Sequence, residues 1–532
     1  MHADLRTARR NGLLAGLIGA IVMSGVLAWS RLALGTGLPI ELGSDRFLPH
    51  LPVKLFLLIL TILQGPTAAK AVAFFGSFLG QLVFGALIGL VYATIIHREQ
   101  DEASIRPHPL GISRNALFFL LVVIAVIWLL SLVIFGPRLG ESYTGLRPEA
   151  ATTMTAAFLL IAYVAYALSL IVTYRLLTGP GRPEQLGESA GPEGRRLILT
   201  GTAGVVLALG AGVLVRRLFR QGTFSYDGTQ ALGANLDHLT PNGSFYVVTK
   251  NLIDPSVVPQ VVPDFWRFEM RGLIDHPDDM NLTEIMALPS VEQETTLACI
   301  SNGVGGGLLS NAVWKGVPLR TLIERAGPQA GVTSLKLLAV DGYVHSVAFD
   351  KAMEPTTILA YAMNGAPLTP HHGFPARLIV PGYYGEGSVK WITRMELVKQ
   401  EQGGYYEGQG WKDRHVNTLS RIDRPGIGKA LSLATTPMIP VGGVAFAGNR
   451  GIAQVEVSVD GGKSWQKAAL TYQPSHLTWA FWTYDWRPAQ PGNYMLSVRA
   501  TDSTGALQTP QQQSVAPSGA TGYHQITVRV VA

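Results

Sequence analysis

Cysteine is almost missing from this chain: Cys299 stands alone among 532 residues. That excludes an intrachain disulfide, a Cys-x-x-Cys-His haem attachment and any zinc or iron–sulfur site built from cysteines only. A single thiol outside the cytosol is an oxidation hazard, so its presence asks for a use. Charge is scarce too. Asp, Glu, Lys and Arg make up 15% of the residues, and the net charge of +6 is small for the length. No basic tract is interleaved with aromatics, which speaks against nucleic acid as a partner. His97 and His108 fall in a loop, and His50 precedes a short apolar run. No histidine pair therefore stands at mid-membrane depth to ligate a haem. Ionisable groups are nearly absent within the apolar runs, which argues against an ion path.

What is present divides sharply along the chain. Up to about residue 218, long apolar runs dominate, and runs of about 20 residues cross a bilayer. Five are expected to do so: Asn11 to Leu34, Lys70 to Ile96, Ala116 to Phe135, Ala151 to Tyr174 and Leu197 to Val215. Leu51 to Leu63 is too brief and reads as interfacial or re-entrant. Gly12, Gly16 and Gly19 form a small-residue face suited to close helix packing. The first run is too long for a signal peptide and lacks a small-residue cleavage site. Arg6, Arg9 and Arg10, then Arg98, Arg106 and Arg114, then Arg175, Arg182, Arg195 and Arg196 mark inside loops. Everything after Val215 is then external, against which Arg216, Arg217 and Arg220 weigh mildly. Arg195-Arg196 before the last run also resembles a twin-arginine export signal, used for domains that fold before crossing.

Beyond this region, Trp, Tyr, Gly and Pro mark a water-soluble part. Phe245 to Val248, Trp266 to Gly272, Leu335 to Val340 and Arg377 to Val380 read as strands. Leu282 to Leu288 reads as a short helix starting near Thr283. Strands and helices are mixed irregularly, so an α+β domain is expected. Near the end, Val455 to Trp465, Tyr494 to Ala500 and Gln525 to Val531 alternate about Gly-containing turns, as in an immunoglobulin-like β-sandwich. The boundaries expected are 1–220 for the transmembrane helical bundle, 221–429 for the α+β domain and 430–532 for the sandwich.

The motifs sit in the middle domain. Thr296-Leu297-Ala298-Cys299-Ile300-Ser301-Asn302 is followed by Gly305-Gly306-Gly307 and by Ser310 to Leu319. His372-Gly373-Phe374-Pro375-Ala376-Arg377 leads through Val380-Pro381-Gly382 and Gly385 to Ser388-Val389-Lys390-Trp391. Asp341-Gly342-Tyr343 and Met363-Asn364-Gly365 fall between, and Phe245 to Asn251 opens the series. In order and spacing, residues 230 to 531 resemble the sulfite oxidase family of molybdopterin enzymes.

The resemblance implies a molybdenum–molybdopterin cofactor whose metal is bound by the thiolate of Cys299, a soft ligand on a loop that gives a bulky group access. It implies a catalytic tyrosine at Tyr343, with His345 on the same strand face as a secondary candidate. Lys250, Asn251, Asn302, His372, Arg377, Ser388 and Lys390 are implied around the pterin and its phosphate. Arg377 suits a bidentate contact and Lys390 a point charge. Trp314 and Trp391 read as packing residues. One departure stands out. Sulfite-oxidising members carry arginines just after the cysteine loop, whereas here Gly303-Val304-Gly305-Gly306-Gly307 has no charge. The pocket is therefore expected to take a sulfoxide, another small S- or N-oxide or a sulfite-like compound by oxygen-atom transfer. No haem or flavin module is encoded, so a separate electron partner, quinone or cytochrome, is expected. Membrane lipid and a second copy in a homodimer complete the expected partners. The competing reading, a receptor or adhesion protein with an immunoglobulin-like ectodomain, leaves the cysteine loop and the His-Gly-x-Pro-x-Arg block without a purpose.

Overall fold

A computed structural model describes residues 5–63, 66–102, 114–178, 237–250, 258–412, 414–426, 430–435 and 437–532. The run Leu197 to Val215, the pair Arg195-Arg196 and Asn251 lie outside these residues. The chain forms two compact units, one of residues 1–47, 60–223 and 251–260, the other of residues 48–59, 224–250 and 261–532.

Apolar runs with few helix breakers make the first unit helical. Its elements are α1 (Leu5–Leu34), α2 (Pro39–Phe47), the end of α3 (Val53–Ile62), α4 (Pro66–Glu102), α5 (Arg114–Phe135) and α6 (Pro148–Thr178). Four of these, α1, α4, α5 and α6, are long and apolar enough to cross a membrane. The small-residue face of α1 does what its spacing suggests. A Cβ on Gly16 would stand 2.2 Å from the Gly85 carbonyl oxygen, and one on Gly89 only 2.1 Å from that of Gly12. The backbones of α1 and α4 thus touch where any side chain would separate them. Tyr166 on α6 closes the contact by donating to the Gly85 carbonyl at 2.6 Å. Large apolar side chains such as Phe84, Phe118, Leu121, Val133 and Val172 point outward and are exposed. One buried ion pair, Arg31 with Glu41 at 2.9 Å, caps the end of α1 under the ring of Tyr143.

At ten residues, α3 is too short to span, as its run suggested. Its first part belongs to the second unit. There the Val53 amide donates to the Gln409 carbonyl at 2.7 Å, and Val53 packs beside Trp411.

The second unit holds two β-sheets followed by a sandwich. One sheet runs Asp278–Met280, Phe268–Gly272, Ile392–Val398, Ser334–Ala339, Val344–Ala348, parallel only between Phe268–Gly272 and Ile392–Val398. The other runs Val291–Ala298, Leu309–Pro318, Ile358–Met363, Ala366–Pro367, with Arg377–Ile379 also paired to Ile358–Met363. Several expectations need correction. Phe245 to Val248 is not a strand: the Phe245 amide donates back to Pro241 and that of Tyr246 to the Ser310 hydroxyl. The strand expected from Trp266 starts at Phe268, because Trp266 is spent in the core, its indole bonded to the Ile392 carbonyl. The helix Leu282–Met286 is capped by Asn281, not Thr283. Asn281 and Glu284 bond each other's backbone amides in a reciprocal box.

The sandwich packs Leu419–Arg424, Ile439–Phe446, Ala480–Trp486 and Ala469–Tyr472 against Leu431–Ser432, His524–Val531, Gly492–Asp502, Ile452–Ser458 and Gln466–Lys467. Val441, Val455, Trp482, Leu496 and Val498 fill the space between the sheets. Its first strand, Leu419–Arg424, precedes residue 430, since the pattern there is too polar to read as a strand from sequence.

Candidate active site

Strand Val291–Ala298 delivers Cys299 to the head of a tight loop. The Cys299 amide donates to the Leu308 carbonyl at 3.0 Å and its carbonyl accepts from the Asn302 amide at 3.0 Å. Asn302 braces this loop: its side-chain oxygen accepts from the Leu308 amide at 2.8 Å. A Cβ on Gly306 would collide with that oxygen at 2.5 Å. Arg421 holds the far side, donating to the Gly306 carbonyl at 2.7 Å. The thiol of Cys299 is left half-buried, 3.0 Å from the Ser301 hydroxyl. Burial pushes its pKa up, with the Ser301 hydrogen bond working the other way.

Beside it lies a set of cations, Arg377 and Lys250 buried and Lys390 partly so. Arg377, 5% exposed, donates to the Ser388 carbonyl at 3.0 Å and the His372 carbonyl at 3.4 Å, and faces the Trp314 ring at 4.9 Å. Lys390 donates to the Val248 carbonyl at 3.1 Å and the His371 carbonyl at 3.4 Å. Among the described residues neither makes an ion pair. Burial pushes Arg377 down to about 10, and burial together with Arg377 pushes Lys390 down to about 7. Gly373 permits the juxtaposition. Its φ is +101°, and a Cβ there would stand 3.0 Å from that of Lys390 and 3.1 Å from that of Arg377. Lys250 is buried 5.8 Å from the Tyr405 ring. His372 bonds the Asn242 carbonyl at 2.7 Å, and burial lowers it to about 4, so it is neutral. Ser388 accepts from the Val380 amide at 3.2 Å.

The opposite wall is aromatic and acidic. Tyr343 donates to the Glu386 carbonyl at 3.1 Å, and its amide donates to the Asp341 carboxylate. His345 shares its face as expected, the rings near parallel at 6.3 Å. Burial, then Arg414, drives His345 down to about 3. Tyr405 and Tyr406 flank Tyr343 at 6.1 and 5.7 Å, and Arg414 ties down Glu407 and Glu401. Trp314 and Trp391 are packing residues, their indoles bonded to the Thr295 and Pro370 carbonyls.

Sequence reading missed Tyr246, Glu386, Glu407 and Arg414. Tyr246 sits where its hydroxyl meets the bare backbone of Gly385; a Cβ there would lie 2.4 Å away. Burial, then the neighbouring Cys299, raises its pKa. Only the bracketing glycines of Gly385-Glu386-Gly387 hinted at a close approach.

A cysteine on a braced loop, a cradle of cations and a tyrosine wall form a site suited to an anionic group. Residues 255–406 match the oxidoreductase molybdopterin-binding domain, and residues 412–531 the Mo-co oxidoreductase dimerisation domain. Inducible NADH nitrate reductase 1 of Glycine max is 29% identical over 322 residues, which are 48% of this chain and 36% of that protein. Sulfite oxidase of Arabidopsis thaliana is 28% identical over 302 residues, 46% of this chain and 77% of that one. Among solved structures, the sulfane dehydrogenase SoxCD of Paracoccus pantotrophus is 22% identical with a TM-score of 0.49, covering 57% of this chain and 86% of that one. The chain thus spans about a third of the length of the nitrate reductases it matches. Residues 255–531 are thus similar to molybdopterin oxidoreductases such as sulfite oxidase and nitrate reductase, and the cofactor is the molybdenum–molybdopterin.

The residues fit that group. The Arg377 Nε is buried with no hydrogen-bond partner among the described residues, which suits a cation awaiting a phosphate. Among those residues no group of three or more His, Cys, Asp and Glu could hold a metal. A metal here needs most of its ligands from the cofactor, with Cys299 supplying the protein's share.

Proposed function

We propose that this protein is a membrane-anchored oxidoreductase that moves an oxygen atom between water and a small S- or N-oxide, a sulfoxide for example, at a molybdenum centre outside the cytosol. The observation that carries this reading is the half-buried thiol of Cys299 beside the cation cradle. Four apolar helices support the anchor; the outward orientation rests on the flanking arginines together with the fifth apolar run, Leu197 to Val215, which lies outside the described residues. The dimerisation domain supports a homodimer.

In this reading, the Cys299 thiolate holds the metal. Arg377, Lys390 and Lys250 neutralise the phosphate, and Ser388, His372 and Asn251 complete the pterin contacts. Lys390, half-deprotonated at neutral pH in this pocket, takes a full proton beside a dianion. Bound there, the cofactor supplies a two-electron redox couple for oxygen-atom transfer. Tyr343 keeps its proton, because burial and Glu386 raise its pKa well above the usual tyrosine value. Its hydroxyl, now on the Glu386 carbonyl, is free to turn and donate to a substrate oxygen. Neutral His345 beside it adds no positive charge for an oxyanion. Reduction of an oxide XO balances as XO plus two protons and two electrons giving X and water. The electrons come from a separate carrier, a quinol or a reduced cytochrome.

Metal analysis tests the reading. The full chain, produced with cofactor synthesis intact, should hold about one molybdenum per molecule, and Cys299→Ser should lose oxide turnover with a reduced dye by a factor of a hundred or more. A metal-free wild type, or a Cys299→Ser protein with full turnover, refutes it. Protease protection of sealed vesicles checks orientation: residues after 237 should be cleavable only from the outer side.

A further inference from the structure

We propose that residues 48–59, which lie among the apolar helices in the chain, form a strap that positions the catalytic site from behind, holding both the Cys299 loop and the tyrosine wall. The inference goes beyond the reading of Cys299 as a metal anchor, because it concerns what holds the loop and not what the loop binds. These residues fall between α2 and α4, yet they belong to the compact unit that contains residues 261–532. The strap docks on the turn Tyr405–Gly408 and the residues just after it. The Val53 amide donates to the Gln409 carbonyl at 2.7 Å, and the Gln409 side-chain amide donates to the Leu48 carbonyl at 3.4 Å. The first of these bonds serves an amide at the start of α3 that has no partner within its own helix. Pro49 is buried, and Gly408 makes room for it: a Cβ there would stand 2.9 Å from the Pro49 carbonyl oxygen. Val53 is buried and Leu57, four residues on, shares its face, whereas Lys54, Leu55 and Leu58 are exposed. The apolar run thus has two faces, and one of them is spent on the catalytic domain.

That face reaches the site through packed side chains. Val53 belongs to the same buried cluster as Ala298 and Ile300, the residues on either side of Cys299, together with Leu309, Tyr384 and Trp411. Tyr406 packs against this cluster, and its ring stands 5.7 Å from that of Tyr343. Gln409, the strap's hydrogen-bond partner, donates its backbone amide to the Tyr406 carbonyl at 3.0 Å, and Trp411 donates to the same carbonyl at 3.2 Å. Displacing the strap therefore disturbs the loop that carries the thiol and the wall that carries Tyr343. A close-packed interior has few voids in which to absorb such a shift, so it passes the shift on. Val53 and Gln409 are positioning residues in this account.

Cys299 is the only thiol in the chain, so its rate of labelling by a maleimide reports the state of the loop without interference. The full chain, produced without cofactor synthesis and held in detergent, is labelled under native conditions. Val53→Asp puts a charge into the apolar cluster. It should label roughly tenfold faster than wild type while its urea transition, followed by tryptophan fluorescence, stays cooperative. Val53→Ile should label at the wild-type rate, and so should Lys54→Asp on the exposed side. Gly408→Val drives Pro49 off from the other side of the contact and should speed labelling as Val53→Asp does. Wild-type rates in Val53→Asp and Gly408→Val overturn the proposal; if Val53→Asp lacks a cooperative transition, a wild-type rate in Gly408→Val overturns it alone. Equal acceleration in Lys54→Asp also overturns it, because the docked face would then have no special part. So does an acceleration that merely tracks a lower urea midpoint, as exposure by global unfolding requires. The labelled protein carries no cofactor, so none of these results depends on whether Cys299 holds molybdenum.

Discussion

Lys390 offers the most direct check on the cofactor cradle, because its ammonium donates to two carbonyls beside Arg377, and the Asp341 carboxylate offsets only part of that cost. The pKa falls from 10.5 to about 7. At about 1.4 kcal/mol per unit, that is a penalty of at most about 5 kcal/mol for the charged form in cofactor-free protein. The sign follows from linkage. For a base whose folded pKa is depressed, the penalty is complete below the folded value and vanishes above the unfolded one. Between pH 7 and 9 the cofactor-free protein should therefore gain about 2 kcal/mol of stability from this residue alone. The full chain, produced without cofactor synthesis and held in detergent, would be unfolded with urea and followed by tryptophan fluorescence. Lys390→Met should lose this gain and exceed wild type in stability at pH 7. Taking the difference between the two proteins at each pH cancels the titration of Glu386 and of other groups shared by both. With cofactor bound, the phosphate holds the proton on Lys390 and the difference flattens. An equal wild-type-to-variant difference at both pH values in cofactor-free protein would refute the reasoning.

Gly373→Ala should be far worse than its size suggests. Its φ of +101° and the Cβ contacts of 3.0 and 3.1 Å to Lys390 and Arg377 should cost about 1–3 kcal/mol. Molybdenum retention after gel filtration should drop accordingly. In the helical unit, Gly89→Val places its Cβ 2.1 Å from the Gly12 carbonyl oxygen and so forces α1 off α4. The midpoint of thermal aggregation in detergent should fall clearly, whereas Gly80→Val, open to 4 Å, should leave it unchanged.

Much of the architecture was readable from the chain itself, for reasons specific to each part. The four described apolar helices match their runs to within a few residues at most ends, since length and hydropathy alone decide whether a helix is long and apolar enough to cross a bilayer. The Gly12, Gly16 and Gly19 spacing announced the α1 contact surface, because in a helix such spacing is already geometry. Phe245 to Val248 misled: its apolar character reports burial of Phe245 and Tyr246, and among the described residues no strand pairs with it. Thr283 lost the cap to Asn281 because the reciprocal bond with Glu284 favours the residue three before it.

The residues proposed to hold the cofactor were legible because they cluster in motifs: the cysteine loop and the stretches from His372 to Arg377 and from Ser388 to Lys390 carry their chemistry in local order. Asn302 was legible only as a member of its motif; what it does, close the Cys299 loop onto Leu308, is a matter of backbone geometry. The acidic wall was not legible at all. Glu386 and Glu407 lie 21 positions apart in the sequence, and each by itself reads as an ordinary surface carboxylate. Amino-acid order by itself determined which residues could hold a thiophilic metal and a phosphate, because residue type sets ligand chemistry. Tertiary structure decided which charges face one another, because burial and distance, not composition, set the strength of an electrostatic interaction.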